Sequence, residues 1–272
     1  MFIISNKEGR FGNNIYQLIN ILYEALIYGQ QININQLENL QCILNITDLQ
    51  KNFNLQFKSN NKNISHHFFP KDLHLSEKRK INLEKYFEIS KKYIQPYLLN
   101  TEKVSDKICC IHIRSGDLFY NDHTGYVQPP LAYYKKIINE FNNKYDIFYL
   151  ITEPDMKNPC IQKLKEYSNK IKIISDTIQN DYKLLLSCHS IVLSRSSFSD
   201  TSVFLNKNLK NIYFWNHCHC LSDTSVIPKN INVYSLITKV QYIKCGEWTH
   251  NEKQLQLMIN YNIENIIIEE RI

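Results

Sequence analysis

Short apolar segments alternate with segments of helical pattern through the second half of this chain, and no other feature constrains the fold as strongly. The apolar segments are Ile108–Ile113, Ile147–Ile151, Ile171–Ile174, Ile191–Leu193 and Ile212–Phe214. The helical segments between and after them are Leu131–Asn143, Cys160–Ser168, Asp181–Ser187 and Ser199–Leu205. Strands that alternate with helices form parallel βαβ units, and strands buried on both faces are apolar throughout. The sequence therefore predicts an α/β fold with a parallel sheet.

Polar side chains stand at the end of each apolar segment. They are His112 and Arg114, Thr152 and Glu153, Ser175 and Asp176, Ser194–Ser197, and Asn216 and His217. The carboxyl ends of parallel strands meet at one edge of a sheet, where open α/β proteins bind their ligands. We therefore predict a binding face at this edge.

The motif His112-Ile-Arg114-Ser-Gly116-Asp117 ends the first of these segments. Arginine is rare directly after a buried strand unless its charge is paired. Its planar guanidinium binds phosphate oxygens through two parallel hydrogen bonds and stabilises the charge that develops on a leaving phosphate. The motif predicts a phosphate-bearing substrate, and the alternative is a strand that simply exits into solvent.

A second candidate site lies near the N-terminus. The apolar strand Phe2–Ile4 leads into the loop Gly9–Asn14, and an amphipathic helix follows and ends near Gly29. Loop amides and a helix N-terminus attract anions, so this arrangement favours phosphate binding. The same Gly-x-x-Gly pattern is also common in ordinary turns.

A third candidate site is the segment Ser194–Ser199. Serines at the start of a short helix are usually N-caps, but their hydroxyls and amides also suit a diphosphate. Phe198 is expected to line a base or sugar pocket. Asp176 suits hydrogen bonding to a nucleobase or ribose, and Asp181 is expected to cap the helix that it opens.

The first half of the chain gives fewer signals. Residues 30–75 show no clear periodicity, and Asn60–Asn63 has the composition of a loop. A helix is predicted over Glu77–Tyr93 and is expected to stop at Pro96. We place a domain boundary near Asn100–Asp106. The predicted segments are a domain of residues 1–103, a domain of residues 104–234, and an extension of residues 235–272 that either packs back on the first domain or makes an oligomer contact.

Composition bounds the class of protein. The eight cysteines are irregularly spaced, which predicts reduced thiols and no disulfide framework. No apolar run approaches the roughly 20 residues of a membrane span, and no signal-peptide pattern opens the chain, so we expect a soluble, cytoplasmic protein. The net charge of +6 suits an anionic ligand. No nucleic-acid partner is expected, because neither a basic block nor a nucleic-acid motif is visible.

The sequence predicts neither a metal nor a cofactor. His217-Cys218-His219-Cys220 invites a zinc interpretation, but alternation along a strand would put its members on opposite faces, and no second pair stands at standard spacing. Asp-x-Asp does not occur, so a metal-dependent nucleotide-sugar enzyme would lack its usual ligands. Gly-x-Gly-x-x-Gly and the Walker P-loop are also absent, which disfavours NAD binding and ATP hydrolysis.

Taken in order, these motifs resemble the fucosyltransferase superfamily, and most nearly the α1,2-fucosyltransferase-like family, glycosyltransferase family 11. The matching stretches are Gly9–Gln17, Lys85-Tyr86-Phe87, His112–Asp117, and the block from Asp181 to Asn206 that contains Cys188 and Ser196–Ser199. The chain departs from the family pattern at Asn14, where Gln is usual, and at Ser115, where a second Arg is usual. Asp200-Thr201 stands where aromatic residues are common, and residues 235–272 have no counterpart.

The resemblance implies a GT-B-like pair of Rossmann-type domains, with residues 1–103 on the acceptor side and residues 104–234 binding the nucleotide sugar. It implies an inverting, metal-independent transfer of L-fucose from GDP-fucose to a glycan hydroxyl, most nearly of α1,2 type. Arg114, with His112 beside it, would stabilise the diphosphate leaving group. The donor-binding residues would be Arg10, Gly12, Asn13, Asp176, Ser196, Ser197 and Phe198.

Three points stay open from the sequence. Asp117 is the first candidate for the base that activates the acceptor, and Asp122 and His123 follow on the same loop. The acceptor is a galactose-terminated glycan, another sugar or a protein hydroxyl, and the oligomeric state is unassigned. The competing functions are a transferase that uses another nucleotide sugar and a non-catalytic protein that binds glycans or nucleotide sugars.

Overall fold

A computed structural model describes residues 1–7, 9–57, 63–66, 83–120, 123–216 and 224–271. The chain divides into two compact units. One consists of Met1–Thr101 with Thr201–Lys207, and the other of Glu102–Asp200 with Asn208–Ile272. The segment Thr201–Lys207 belongs to the first unit although it lies between two parts of the second unit along the chain. The predicted domains, by contrast, were continuous in sequence.

An aromatic cluster explains why Thr201–Lys207 belongs to the first unit. The ring of Phe204 stacks on Tyr86 at 5.4 Å between centroids and meets the edges of Phe87 at 5.1 Å and Tyr16 at 6.1 Å. Gln95 also donates from Nε2 to the Phe204 carbonyl at 3.1 Å. Phe204 is 1% exposed, so this segment completes the apolar core of the first unit.

The first unit contains a three-stranded parallel sheet in the order β2-β1-β3. Its strands are β1 (Phe2–Ile4), β2 (Ile32–Asn33) and β3 (Ile64–His66). The predicted strand, loop and helix are confirmed, since β1 leads through the glycine loop into helix α1 (Phe11–Tyr28). Gly29 ends α1 with a φ of 59°, and its N–H donates to the Ala25 carbonyl.

The rest of the first unit is helical. Residues Asn35–Cys42 form a kinked 3₁₀ segment, followed by α2 (Ile46–Asn54) and α3 (Leu83–Ile89). The chain then continues through a π turn, Ser90–Ile94, into a 3₁₀ turn, Gln95–Tyr97. The helical run ends at Ile94, one residue beyond the predicted end, and Pro96 lies at the start of the separate 3₁₀ turn, where its missing N–H costs nothing. Residues 77–82 of the predicted helix, and 60–62 of the predicted loop, lie outside the described residues.

The second unit contains a seven-stranded sheet in the order β10-β9-β8-β7-β4-β5-β6. The strands are β4 (Ile108–Ile113), β5 (Ile147–Thr152), β6 (Ile171–Ile174), β7 (Ser190–Val192), β8 (Asn211–Trp215), β9 (Asn232–Thr238) and β10 (Ile266–Glu270). The helices are α4 (Leu131–Glu140), α5 (Cys160–Tyr167), α6 (Ile178–Ser187), α8 (Glu252–Asn260) and the start of α7 (Ser197–Leu205), whose residues from Thr201 onward belong to the first unit. Strands β4 to β9 are parallel, in the strand order of a Rossmann sheet, and only β10 runs antiparallel. The predicted α/β fold with parallel sheets is therefore confirmed.

The C-terminal segment corrects the prediction of an extension that packs back on the first domain. Strands β9 and β10 complete the sheet of the second unit, and α8 packs on the same core through Met258. Trp248 is fully buried and donates from Nε1 to the Leu118 carbonyl at 3.0 Å. Residues 235–271 belong to the second unit because their apolar side chains are part of its core.

The cysteines that the structure describes are free thiols. Cys109, Cys110, Cys160 and Cys188 are buried within the second unit. Burial raises the pKa of the Cys109 and Cys160 thiols, which keeps them protonated and unreactive. Cys218 and Cys220 lie outside the described residues. In the described part of the chain, no helix has the length and apolar character needed to cross a membrane.

Candidate active site

The sheet of the second unit has a switch point between β4 and β7. From β4 the chain adds β5 and β6 on one side, and β7, β8 and β9 follow on the other. In open α/β sheets the loops diverge at such a point and leave a crevice at the carboxyl ends of the strands. The two motif segments His112–Asp117 and Ser194–Ser199 leave the sheet at this position.

Arg114 lies directly beyond β4 and is held between two carboxylates. Its Nη2 atom is 2.7 Å from Oδ1 of Asp117, and its Nη1 atom is 3.0 Å from Oε1 of Glu153. The pairing with Glu153 follows from the register, because Ile113 of β4 lies opposite Thr152 of β5. The Arg114 side chain is 15% exposed, so part of the guanidinium remains accessible.

The turn after Arg114 is fixed to the loop after β5. Gly116 has a φ of 68°, a conformation that glycine adopts without strain. Ser115 donates its N–H to Oε2 of Glu153 at 2.6 Å and its hydroxyl to Oδ1 of Asp155 at 2.7 Å. Asn158 donates from Nδ2 to the Arg114 carbonyl at 2.9 Å. Ser115 stands where the motif that this chain resembles has a second Arg. Its two hydrogen bonds tie the turn to the loop after β5.

His112 faces the serine segment across the switch point. Its Nδ1 atom is 2.8 Å from the Ser194 hydroxyl, and both residues are buried. The imidazole packs at a tilt against Phe198, with 5.3 Å between ring centroids, and Phe198 meets the edge of Tyr182 at 5.0 Å. The structure brings His112, Ser194 and Phe198 together, and the half-buried Phe198 ring lies between two other rings.

The serine segment starts helix α7. The Ser196 hydroxyl accepts from the Phe198 N–H at 3.3 Å, and its carbonyl accepts from the Asp200 N–H at 3.0 Å. Ser199 donates its hydroxyl to the Ser196 carbonyl at 3.2 Å. Ser196 therefore occupies the N-cap position, and the amide groups of the first turn follow it at the carboxyl edge of the sheet.

Asp181 does not have its predicted role as a helix cap, and the role of Asp176 toward a donor stays a prediction. Thr177, not Asp181, caps α6, since its hydroxyl accepts from the Asn180 N–H at 3.2 Å. Asp176 is exposed, and hydrogen bonds from Asn180 and the Thr177 N–H lower its pKa. Asp181 lies inside the helix and is only 7% exposed, and this burial raises its pKa to about 6.

Two hydroxyls at the same edge have no hydrogen-bond partner among the described residues. Oγ1 of Thr152 ends β5, and Oγ of Ser175 follows β6. Thr152 is 2% exposed. A buried hydroxyl without a partner costs about 1–3 kcal/mol.

The loop after the motif extends from Asp117 to a brace formed by the C-terminal segment. Oδ2 of Asp117 is 3.8 Å from Nε2 of His123, whereas Asp122 lies outside the described residues. Gly246 and Trp248 donate their N–H groups to the Thr124 carbonyl at 3.0 and 3.2 Å. The segment before α8 thus fixes the loop that carries His123.

The predicted N-terminal residues Arg10, Gly12 and Asn13 lie in the first unit. The Arg10 side chain is exposed, and its carbonyl accepts the Asn13 N–H at 2.9 Å, which places Arg10 at the N-cap of α1. Gly12 is buried in the first turn of the helix. Asn14 is buried, donates to Gln17 at 3.0 Å and accepts from Asn39 at 2.9 Å. The roles of Arg10, Gly12 and Asn13 toward a donor stay predictions.

No group of three or more His, Cys, Asp or Glu side chains that could hold a metal ion occurs within the described ranges. His217–Cys220, the only segment for which the sequence suggested zinc, falls outside them. Sequence reasoning missed Glu153 as the partner of Arg114, and its position immediately after the second predicted strand was the available signal.

The chain was compared with known families and proteins. No curated protein gives a significant match. The sequence model of the family described as Glycosyl transferase family 11 matches residues 67–222, more than half of the chain. This span contains β4 to β8 and both motif segments at the switch point. The chain belongs to glycosyl transferase family 11, and it is a glycosyltransferase with the fucosyltransferase activity of that family.

Proposed function

We propose that this enzyme transfers L-fucose from GDP-fucose to a glycan hydroxyl, with inversion at the anomeric carbon and without a metal. The observation that carries the proposal is the position of Arg114 and His112 opposite Ser194–Ser199, at the switch point of a Rossmann-ordered sheet. An α1,2-type linkage and a GT-B-like pairing of the two units are parts of the same proposal, supported by the family resemblance.

The diphosphate of the donor is proposed to lie at the switch point. The contacts with Asp117 and Glu153 engage Nη2 and Nη1 of Arg114, and a guanidinium has five N–H donors in total. The remaining donors suit the phosphate oxygens. The backbone amides in the first turn of α7 add further N–H donors. They follow Ser196, in the segment that leaves β7. Both groups stabilise the charge that develops on the departing diphosphate.

Asp181 is the better candidate than Asp176 for recognising the base. Guanine presents two N–H donors on one edge, and a buried carboxylate accepts both. Both oxygens of Asp176 already accept hydrogen bonds from its own turn, whereas Asp181 has a weaker contact of 3.3 Å from the Asp176 N–H. Because the pKa of Asp181 is raised to about 6, its carboxylate is ionised at neutral pH and becomes protonated below pH 6.

The acceptor is proposed to lose its proton to His123 rather than to Asp117. One oxygen of Asp117 forms the ion pair with Arg114, and the other lies 3.8 Å from His123. The acceptor oxygen bonds to the anomeric carbon while its proton passes to the imidazole. The bond from that carbon to the phosphate oxygen breaks, and its electron pair leaves with GDP. Asp117 then stabilises the imidazolium that forms.

Ligand-dependent unfolding tests the donor. GDP should raise the thermal midpoint by mass action, and UDP and ADP at the same concentration should raise it less. A larger shift with UDP or ADP would indicate a transferase for another nucleotide sugar. Stabilisation by GDP without hydrolysis or transfer of GDP-fucose to any glycan in an acceptor screen would favour a non-catalytic binding protein.

A further inference from the structure

The two carboxylates around Arg114 make different contacts. Asp117 lies three residues along the same loop and is 37% exposed. Glu153 reaches Arg114 from the neighbouring strand end and is 24% exposed. Its two oxygens serve two partners, the Arg114 guanidinium at 3.0 Å and the Ser115 N–H at 2.6 Å. One side chain after β5 therefore fixes both the guanidinium and the turn that carries it.

This arrangement has an electrostatic consequence. A nucleoside diphosphate is an anion that would bind the same guanidinium. It therefore approaches a cation whose charge two carboxylates already neutralise. Like charges near a protein surface repel by amounts that change affinity severalfold, and salt screens the effect. Glu153 thus directs Arg114 toward the leaving group and at the same time opposes the negative charge of bound nucleotide.

We propose that Glu153 is a positioning residue that orients Arg114 for departure of the diphosphate and, through its charge, limits how tightly the enzyme retains GDP. This inference rests on the proposed function, since it requires a diphosphate at Arg114. The inference assigns separate effects to two properties of the Glu153 side chain, its length and its charge. Two substitutions change these properties differently.

Glu153→Gln removes the charge and keeps the length. GDP should bind about tenfold more tightly at low ionic strength, and the gain should shrink as salt rises. Turnover should fall about tenfold, because an NH₂ group, which cannot accept a hydrogen bond, replaces one of the two oxygens that accept from Arg114 and Ser115. A purely structural role would weaken GDP binding together with turnover.

Glu153→Asp keeps the charge and shortens the reach. Turnover should again fall about tenfold, but GDP binding should not tighten, because the carboxylate remains. Glu140→Gln is the matched control, since it removes one exposed charge at the end of α4, and both properties should stay at wild-type values.

Titration calorimetry of GDP at two salt concentrations, with steady-state turnover of each variant, decides the matter. Weaker or unchanged GDP binding by Glu153→Gln would overturn the inference while the proposed donor stands. Absence of GDP binding by the unaltered enzyme would overturn the proposed function itself. If Glu153→Gln does not fold, Asp117→Asn removes charge from the other side of Arg114, and it should also tighten GDP binding. Weaker or unchanged GDP binding there would overturn the inference equally.

Discussion

The two ends of the sheet in the second unit are built in opposite ways. At the amino end, Lys144 donates to Oδ1 of Asn211 at 2.9 Å, and Tyr145 contacts the hydroxyls of Ser190 at 2.9 Å and Tyr213 at 2.8 Å. At the carboxyl end, Arg114 lies among carboxylates, and two hydroxyls have no partner among the described residues. These polar groups at the amino end bond to one another, whereas at the carboxyl end Arg114 and its two carboxylates are partly exposed.

The environments of the titratable groups follow the same division. Burial raises the pKa of Tyr145 and Tyr213 and lowers the pKa of Lys144, so each of these shifts favours the neutral form. At the carboxyl end, Asp181 has a pKa raised to about 6 and can change charge near neutral pH. A network that supports only the fold gains nothing from such a group, whereas a binding site can use it.

The largest effect expected at the carboxyl end is that of Arg114→Ala. Turnover should fall about 1,000-fold, because the charge on the departing diphosphate loses its main counterion. The thermal midpoint should change little, since the side chain packs against partly exposed carboxylates. Fucose transfer assays and thermal unfolding monitored by circular dichroism measure the two effects. Arg114→Lys keeps the charge without the fork and should recover only part of the activity; equal activity of both variants would contradict the proposed phosphate contact.

His123→Gln should lower turnover about 100-fold and leave GDP affinity unchanged, because the residue is proposed to act only on the acceptor. Asp122→Asn is the comparison. If that variant loses activity and His123→Gln does not, the base is Asp122.

Substitutions at the amino end of the sheet should lower the free energy of unfolding and leave turnover unchanged. Asn211→Ala leaves Lys144 and Ser190 without a shared partner in a buried network, and the free energy of unfolding should fall by about 2–3 kcal/mol. Asn232→Ala removes one hydrogen bond at the same end and should cost about 1 kcal/mol or less. Denaturant unfolding and turnover are measured on both. Loss of activity in folded Asn211→Ala would break the division between the two ends.

Asp181 gives a small expected effect on GDP affinity with a defined pH dependence. GDP affinity should fall up to tenfold per pH unit below pH 6, where the carboxylate becomes protonated, and Asp181→Asn should make the affinity low and nearly independent of pH. Asp176→Asn, at the exposed neighbour, is the control and should bind GDP as the wild type does. Titration of GDP between pH 5 and about pH 8 measures the effect.

The sign of the stability change follows from the same shift. The folded state holds the proton of Asp181 more tightly than the unfolded chain, so stability falls as pH rises from about 4 to about 6. Asp181→Asn removes this loss and should be more stable at pH 7 by about 2 kcal/mol. A less stable Asn variant at pH 7 would contradict the raised pKa.

The sequence was sufficient to predict the parallel strands, because a short run of apolar residues is a local signal. Ile108–Ile113 and Ile171–Ile174 are mostly apolar runs, and their bounds are those of β4 and β6. The motif residues Arg114 and Ser196 could be placed at strand ends for the same reason. By contrast, the sequence of β9 mixes polar and apolar residues. Only its pairing with β8 and β10 identifies it as a strand.

The contacts within the site could not be predicted from periodicity. Whether Glu153 meets Arg114 depends on the register of β4 against β5, and a shift of one residue would turn the side chains to the other face. Asp181 looked like a cap because it stands near the start of a helix, but α6 begins at Ile178 after the cap Thr177. The cap lies four residues before Asp181, about one helical turn, and this difference separates an exposed cap from a buried carboxylate.

The brace that Gly246 and Trp248 form on the Thr124 carbonyl lies beyond residue 222, where the family match ends. The edge proposed to bind the donor is thus encoded within the matched span, and the support of the loop proposed to serve the acceptor is encoded in a separate stretch of sequence. Substitutions in residues 239–250 can reshape the approach of the acceptor without altering any group proposed to touch GDP. The proposed function therefore implies two separately adjustable specificities in one chain, one for what the enzyme donates and one for what it modifies.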